Sequence, residues 1–223
     1  MALILLIETA TKSCSVALAL NNQVIAFKEE VNERYSHSEK LNVFITHLFQ
    51  NQNVNIEDLD AIAVSKGPGS YTGLRIGVST AKGLCYALEK PLISICTLRA
   101  MAYRIAQKET ADLYCPMIDA RRMEVYTAFF DSANNKKREI NADIINADSY
   151  KNELTSKVLF FGDGVEKCKE IIKNKNAKFL SGIYPSSKDM LVLAKKRFEK
   201  KEFEDIAYFE PYYLKDFVVG AKG

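Results

Sequence analysis

The chain holds 223 residues, 48% hydrophobic and 26% charged, with a formal net charge of +3. That length suits one large domain or two small ones, each able to bury a core, and the composition is that of an ordinary globular protein, not of a disordered or collagenous chain. So weak a positive charge permits a nucleic-acid partner without arguing for one.

Five cysteines (Cys14, Cys85, Cys96, Cys115, Cys168) are odd in number and form no CxxC or CxxH pair, so spacing points to neither a zinc site nor a disulfide framework. They read as reduced, buried thiols in a cytoplasmic protein. The start, Met1 to Glu8, has no basic lead and too short an apolar run for a signal peptide. No stretch approaches the ~20 apolar residues of a membrane span.

Leu3 to Ile7 is a continuous β-prone run that predicts a buried strand, and Glu8 to Ser13 a polar turn. Two alternating runs, Cys14 to Leu20 and Val24 to Val31, join at Asn21-Asn22 and predict a hairpin. Ser36 with Glu39 has the form of a capping box, and Leu41, Phe44, Ile45, Leu48 and Phe49 recur at helical spacing to about Gln50. Asn55 and Asp58 cap a short turn before a strand at 61 to 65. A glycine loop, a helix over 74 to 88 and a strand at 92 to 96 follow, and Thr97 is expected to cap a helix over 98 to 108. The second half repeats the theme. Strands are expected at 113 to 118, 124 to 130, about 138 to 141 and 158 to 161, with a polar hairpin tip at 132 to 137. Ser149 reads as a helix cap, Gly162-Asp163-Gly164 opens a helix through Ile172, and Ser187 begins a last one to about Glu202. The aromatic tail from Phe209 to Leu214 is too apolar to float free.

The loop Lys66-Gly67-Pro68-Gly69-Ser70-Tyr71-Thr72-Gly73 stands between strand and helix. Backbone N–H groups and the helix dipole meet there, as in a phosphate cradle. Its spacing is neither GxxxxGK[ST], since Leu74 and Arg75 follow Gly73, nor GxGxxG. A tight turn whose glycines make room for a neighbour fits the spacing better than any ligand-binding form. On the helix, Gly73, Gly77, Thr80, Ala81, Leu84 and Leu88 form one stripe at about 100° per residue. Leu74, Val78 and Cys85 widen it on one side, and Ile76, Gly83 and Ala87 on the other. The result is about twice the apolar face a helix needs against its own sheet. Either the chain's own helix at 37 to 50 covers the surplus, or a second subunit does.

His37 and His47 lie about 15 Å apart along their helix and cannot share a metal, so they read as surface or interface residues. Ser70 and Thr72 lack a GxSxG elbow. Glu8, Asp119 and Glu124 are carboxylates at strand ends, a weak signal for a site.

These pieces together resemble the TsaB (YeaZ) family. The matching stretches are Ile7 to Leu18, Ser36 to Glu39, Lys66 to Gly77, Ile118 to Tyr126 and Glu210 to Lys215. The GPGSYTGLRIG stretch is the most specific. The resemblance implies an α/β fold of two similar domains, the ribonuclease H-like arrangement of the actin, Hsp70 and sugar-kinase ATPases. The expected division is 1–104, 105–205, and a tail 206–223 returning to the first domain. It also implies a cytoplasmic, non-catalytic subunit that pairs with a TsaD-type transferase, alongside a TsaE-type ATPase, to make N6-threonylcarbamoyladenosine in tRNA, with no cofactor or metal of its own. The absence of an HxxxH motif agrees with that, and Glu8 stands where aspartate is common.

For such proteins the helices near 37 to 50 and 73 to 88 join a related subunit in a four-helix bundle. The expected interface is His37, Leu41, Phe44, Ile45, Leu48, Gly73, Ile76, Gly77, Thr80, Ala81 and Leu84. On this reading Gly77→Arg or Ala81→Glu breaks the complex and spares the fold, and the isolated chain is a candidate homodimer through the same face. Gly67 to Gly73 remains a candidate vestigial ligand loop, and Glu8, Asp119, Arg121 and Glu124 are motif residues without an assigned role. The alternatives are a nucleotide-using ATPase or kinase built on the glycine loop, and a glycoprotease-like peptidase.

Overall fold

An unbroken apolar strand needs cover on both faces, and Leu3–Glu8 (β1), buried along its whole length, has it at the centre of a five-stranded sheet. The structure, a computed structural model, describes residues 2–32, 37–50, 52 and 54–215. Ser13–Leu20 (β2) pairs antiparallel with β1 and with Gln23–Val31 (β3), turning at Asn21 with φ 59°. Ala61–Gly67 (β4) and Leu92–Cys96 (β5) add parallel strands on the other side, in the order β3-β2-β1-β4-β5. Alternation of side chains sorts β1 into two layers. Leu3, Leu5 and Ile7 meet the helices His37–Gln50 (α1) and Tyr71–Leu88 (α2) through Leu41, Ile45, Val78 and Cys85, while Ile4 and Leu6 face the opposite layer.

The second half builds the same sheet again. Leu113–Asp119 (β6), Glu124–Phe130 (β7) and Lys136–Ile144 (β8) run antiparallel, and Val158–Phe161 (β9) and Ala177–Leu180 (β10) extend β6 in parallel, in the order β10-β9-β6-β7-β8. Each sheet therefore reads 3-2-1-4-5 in its own numbering. Two mixed sheets of one topology make the ribonuclease H-like, actin-type arrangement that the resemblance implied, and they account for the doubled pattern.

The helices joining the halves are exchanged between them. Thr97–Ala106 (α3) leaves the first sheet and packs Leu98, Met101 and Ile105 on Tyr114, Phe130 and Phe161 of the second. The last helix, Leu191–Glu199 (α5), counted in sequence with the second half, instead covers Ile4, Leu6, Ile93 and Ile95 of the first, through Leu191 and Ala194 together with Met190 just before it.

Several local expectations need correction. Thr97 is the first residue of α3 and not its cap, because Cys96 holds the extended N-cap backbone; the buried Thr97 hydroxyl has no partner among the described residues. Ser149 caps no helix: its Oγ accepts from Asn146 N at 2.9 Å in a run of turns leading to a 3-10 turn at Glu153–Thr155. The helix after Gly164 (α4) spans only Val165–Lys169, β8 is longer than its apolar pattern, and β10 carried no recognised signal. Ser187 opens a 3-10 turn, Ser187–Met190, that leads into α5. The expected capping residue Ser36 lies outside the described residues. Among the described residues no helix is long and apolar enough to cross a membrane.

Candidate functional site

The glycine loop is already filled, by the chain's own β1–β2 turn. Ser70 N donates to Ala10 O at 2.7 Å, and Ser70 Oγ caps α2 by accepting from Gly73 N at 3.2 Å. A Cβ at Gly69 would stand 2.2 Å from Ala10 O, at Gly73 2.2 Å from Thr9 O, and at Gly77 2.2 Å from Thr9 Oγ1. These three positions take glycine because the Thr9–Ala10 backbone, at Gly69 and Gly73, and the Thr9 side chain, at Gly77, lie against the loop and the start of α2. The ground a phosphate would need over this helix N-terminus holds protein. Gly67, at φ 104°, meets Leu74 and the carbonyl of Tyr212, and Pro68 is buried beside it.

Glu8 fastens the other side of the same turn. Wholly buried at the end of β1, its Oε1 accepts from Ala10 N at 2.6 Å and from Ser65 Oγ at 2.8 Å. Burial, aided by the nearby charge of Asp189, pushes its carboxyl up to about 7 despite these donors. It faces inward and presents nothing to a ligand. His37 is 2% exposed, contrary to a surface or interface role, and its Nε2 bonds Thr11 O at 2.8 Å, so that nitrogen carries the proton. Burial lowers its pKa. His47 is exposed, as its spacing predicted.

The expected interface residues divide by burial. His37, Leu41, Ile45, Leu48, Gly73, Gly77 and Ala81 are buried against the chain's own sheet and turn, and only Phe44, Ile76, Thr80 and Leu84 reach the surface. The stripe of small residues at Gly73 and Gly77 thus admits a turn of the same chain and no second helix. Gly77→Arg and Ala81→Glu would break the fold before testing a complex. What remains open is the flank. Thr72, Ile76, Thr80, Gly83 and Ala87 fall within about 80° of one another on α2, all exposed or half-buried and none charged. A Cβ at Gly83 would meet nothing within 4 Å.

Asp119, Arg121 and Glu124 lie on the β6–β7 turn. Arg121 and Arg122 both take positive φ, 67° and 48°, and present exposed side chains. Asp119 Oδ1 accepts from Arg121 N at 3.0 Å and from Lys167 Nζ, whose other bonds go to Arg122 O and Glu124 O at 2.7 Å each. Asp119 N donates to Asp163 Oδ1, and burial pushes the Asp163 carboxyl up to about 6. The C-terminal segment ties this turn to the glycine loop. Tyr212 N donates to Lys66 O at 2.7 Å, Tyr213 packs on Tyr71 with ring centroids 4.7 Å apart, and Arg75 stands over the Tyr71 ring. Lys82 holds the carbonyls of Ala207 and Phe209, and Lys215 pairs with Glu124 beside the Tyr126 ring. Among the described residues no group of three His, Cys, Asp or Glu could hold a metal.

A profile of the family described as TsaD, tRNA N6-adenosine threonylcarbamoyltransferase, matches residues 31–222. The Bacillus subtilis protein named tRNA threonylcarbamoyladenosine biosynthesis protein TsaB is 32% identical over 176 residues, 77% of this chain and 75% of that one. Its Escherichia coli K12 namesake is 29% identical over 228 residues, 98% and 97% of the two chains. The chain belongs to the TsaB family. The solved structure of YeaZ from Pseudomonas aeruginosa superposes with a TM-score of 0.80 at 24% identity, covering 96% of this chain and 100% of that one.

Within this TsaB-family chain, the glycine loop and the β6–β7 turn are tied together by one tail segment. Sequence spacing singled out the glycines and the strand-end carboxylates, yet it missed Thr9 and Ala10, which explain the glycines, and Lys82, Tyr213 and Lys215, which hold the tail. Spacing does not mark them, although all but Lys82 fall in the stretches that carry the resemblance; each acts across the fold.

Proposed function

We propose that the chain is a non-catalytic cytoplasmic subunit that pairs with a TsaD-type transferase and supports N6-threonylcarbamoyladenosine formation in tRNA, with a TsaE-type ATPase in the same assembly. The observation that carries this is the uncovered, uncharged arc of α2 formed by Thr72, Ile76, Thr80, Gly83 and Ala87. A helix flank without charge, half-buried beside its own core, suits a second helical surface. The filled glycine loop and the inward Glu8 support a helper over a nucleotide-using enzyme. The same arc would hold two copies together when the transferase is absent.

The test uses positions that the fold tolerates. Gly83→Arg adds a long cation where a Cβ has open space, and Ala87→Glu adds charge at an exposed site. Each is expected to abolish co-purification with the transferase subunit while the thermal midpoint holds or rises, since replacing a helical glycine removes about 1 kcal/mol of propensity penalty. A complex that survives both substitutions overturns the interface.

A further inference from the structure

A cavity of about 410 Å³ opens at the C-terminal ends of β4 and β5, walled by α3, α5 and the β7–β8 turn. It touches the glycine loop only at Lys66, the loop's first residue, and lies apart from the exposed arc of α2. Its lining carries Lys66, Arg99, Lys196, Arg197 and Lys200 against one carboxylate, Glu202. Arg197 is engaged with Glu202, Glu204 and Ser94. Neither Lys66 nor Lys196 makes an ion pair among the described residues. An unbalanced cluster of cations in a recess focuses positive potential and favours an anion.

Two further features face the same space. Helix α3 starts at the cavity with Cys96, whose neutral thiol lies against the Leu98 and Arg99 N–H groups, so its positive dipole end has no anionic cap. Asn134, held at φ 63° with its carbonyl bonded by Arg99 at 3.1 Å, is 6% exposed, and its side-chain Oδ1 is buried without a partner among the described residues. An asparagine amide carries both donors and acceptors, and rotating it exchanges them at the cavity wall. The rest of the wall includes Tyr103, Leu193 and Ile95. Cavities of roughly 300–1,000 Å³ hold small organic ligands, so a bare inorganic anion would leave this one mostly unfilled.

We propose that this cavity binds a mononucleotide, its phosphate against Lys66, Lys196 and the start of α3, and its nucleoside against Tyr103 and Leu193. Aromatic and apolar walls beside cations are the pairing that a base and a phosphate require. The site requires neither the glycines of the loop nor the partner subunit.

Calorimetric titration of the full chain tests it with adenosine 5′-monophosphate, adenosine, inorganic phosphate and a short single-stranded RNA. The monophosphate is expected to bind at least about tenfold more tightly than adenosine or phosphate, and Lys196→Glu to weaken it by about tenfold or more. Lys196 is exposed, so the thermal midpoint should not move, and Lys12→Glu, in the β1–β2 turn, should leave binding intact. No heat with the monophosphate at millimolar concentration overturns the proposal. So does indifference to Lys196→Glu, loss of binding through Lys12→Glu alone, or RNA binding more tightly than the monophosphate through Lys196.

Discussion

Gly77 shows how a single hydrogen decides a contact. Alanine is the better helix former by about 1 kcal/mol, yet a Cβ here would stand 2.2 Å from Thr9 Oγ1. Overlap of that size in a packed site costs about 2–3 kcal/mol, so the clash outweighs the propensity. Gly77→Ala is therefore expected to destabilise the chain, and adding Thr9→Ala should recover most of the loss. At Gly73 the obstacle is the Thr9 carbonyl, so the same Thr9→Ala should rescue nothing. Denaturant unfolding of this double-mutant cycle decides it, and equal rescue at both sites would refute the packing argument. Glu8 makes a second prediction. Burial pushes its carboxyl up to about 7 in the folded chain, against an ordinary 4.5. The folded state thus takes up a proton between those values, so stability is greatest on the acid side and is lost as pH rises through 7. Asp163 and Asp189, raised to about 6, act in the same direction at lower pH. Between about pH 4.5 and 7 the wild-type urea midpoint is expected to fall, with Glu8 contributing at most about 3 kcal/mol in free energy, and Glu8→Gln to flatten that fall. An unchanged slope in the variant would remove Glu8 from the account.

At the scale of elements, the tail crosses from one unit to the other on few contacts. Tyr213 on Tyr71 is an aromatic pair of about 1 kcal/mol, so Tyr213→Ala should raise local opening of residues 206–215 by roughly fivefold. Limited chymotrypsin cleavage near Phe209 reads this, with the global thermal midpoint nearly unmoved; an unaltered cleavage rate would show that Lys82 and Tyr212 suffice. Elements with a strong period were legible from sequence. The spacing of Leu41, Ile45 and Leu48 placed α1, and the unbroken apolar run placed β1. Short or half-exposed pieces were not: β10 offers four residues, none fully buried, and Ser149 carries the residue type of a cap while serving a turn. The glycines were recognised as making room for a neighbour, but that neighbour is a turn most of a sheet away in sequence, and a helical wheel cannot show which side of a helix another loop occupies. The surplus apolar face read from the sequence was real in part. Gly73 and Gly77 meet Thr9; Val78, Ala81 and Cys85 join the core with α1; and the remaining flank is the open arc.

For the whole molecule, the exchange of α3 and α5 binds the two sheets into one object. Local periodicity shows each helix's apolar face without showing which sheet receives it, and the polar stretch after α3 reads as a boundary. Yet α3, encoded before that boundary, covers Tyr114, Phe130 and Phe161 of the second sheet, and α5, encoded after it, covers Ile4, Leu6, Ile93 and Ile95 of the first. Removing the chain beyond residue 106 would uncover that face of the first sheet and leave the apolar side of α3 without its own partner. Each fully buried aliphatic side chain contributes roughly 1.5–3 kcal/mol, and a domain's net stability is only about 5–15 kcal/mol, so four uncovered residues suffice to erase it. A fragment of residues 2–106 is therefore expected to show no cooperative unfolding transition by circular dichroism, whereas the full chain unfolds in a single one. Joining residues 187–215 to that fragment through a flexible linker should restore cooperativity, because it returns α5 and the Leu92–Glu204 bridge to β5. A fragment 2–106 that melts cooperatively by itself would mean that the first sheet needs no cover from α5, and the exchanged helices would then be an accessory of this fold and not its joint.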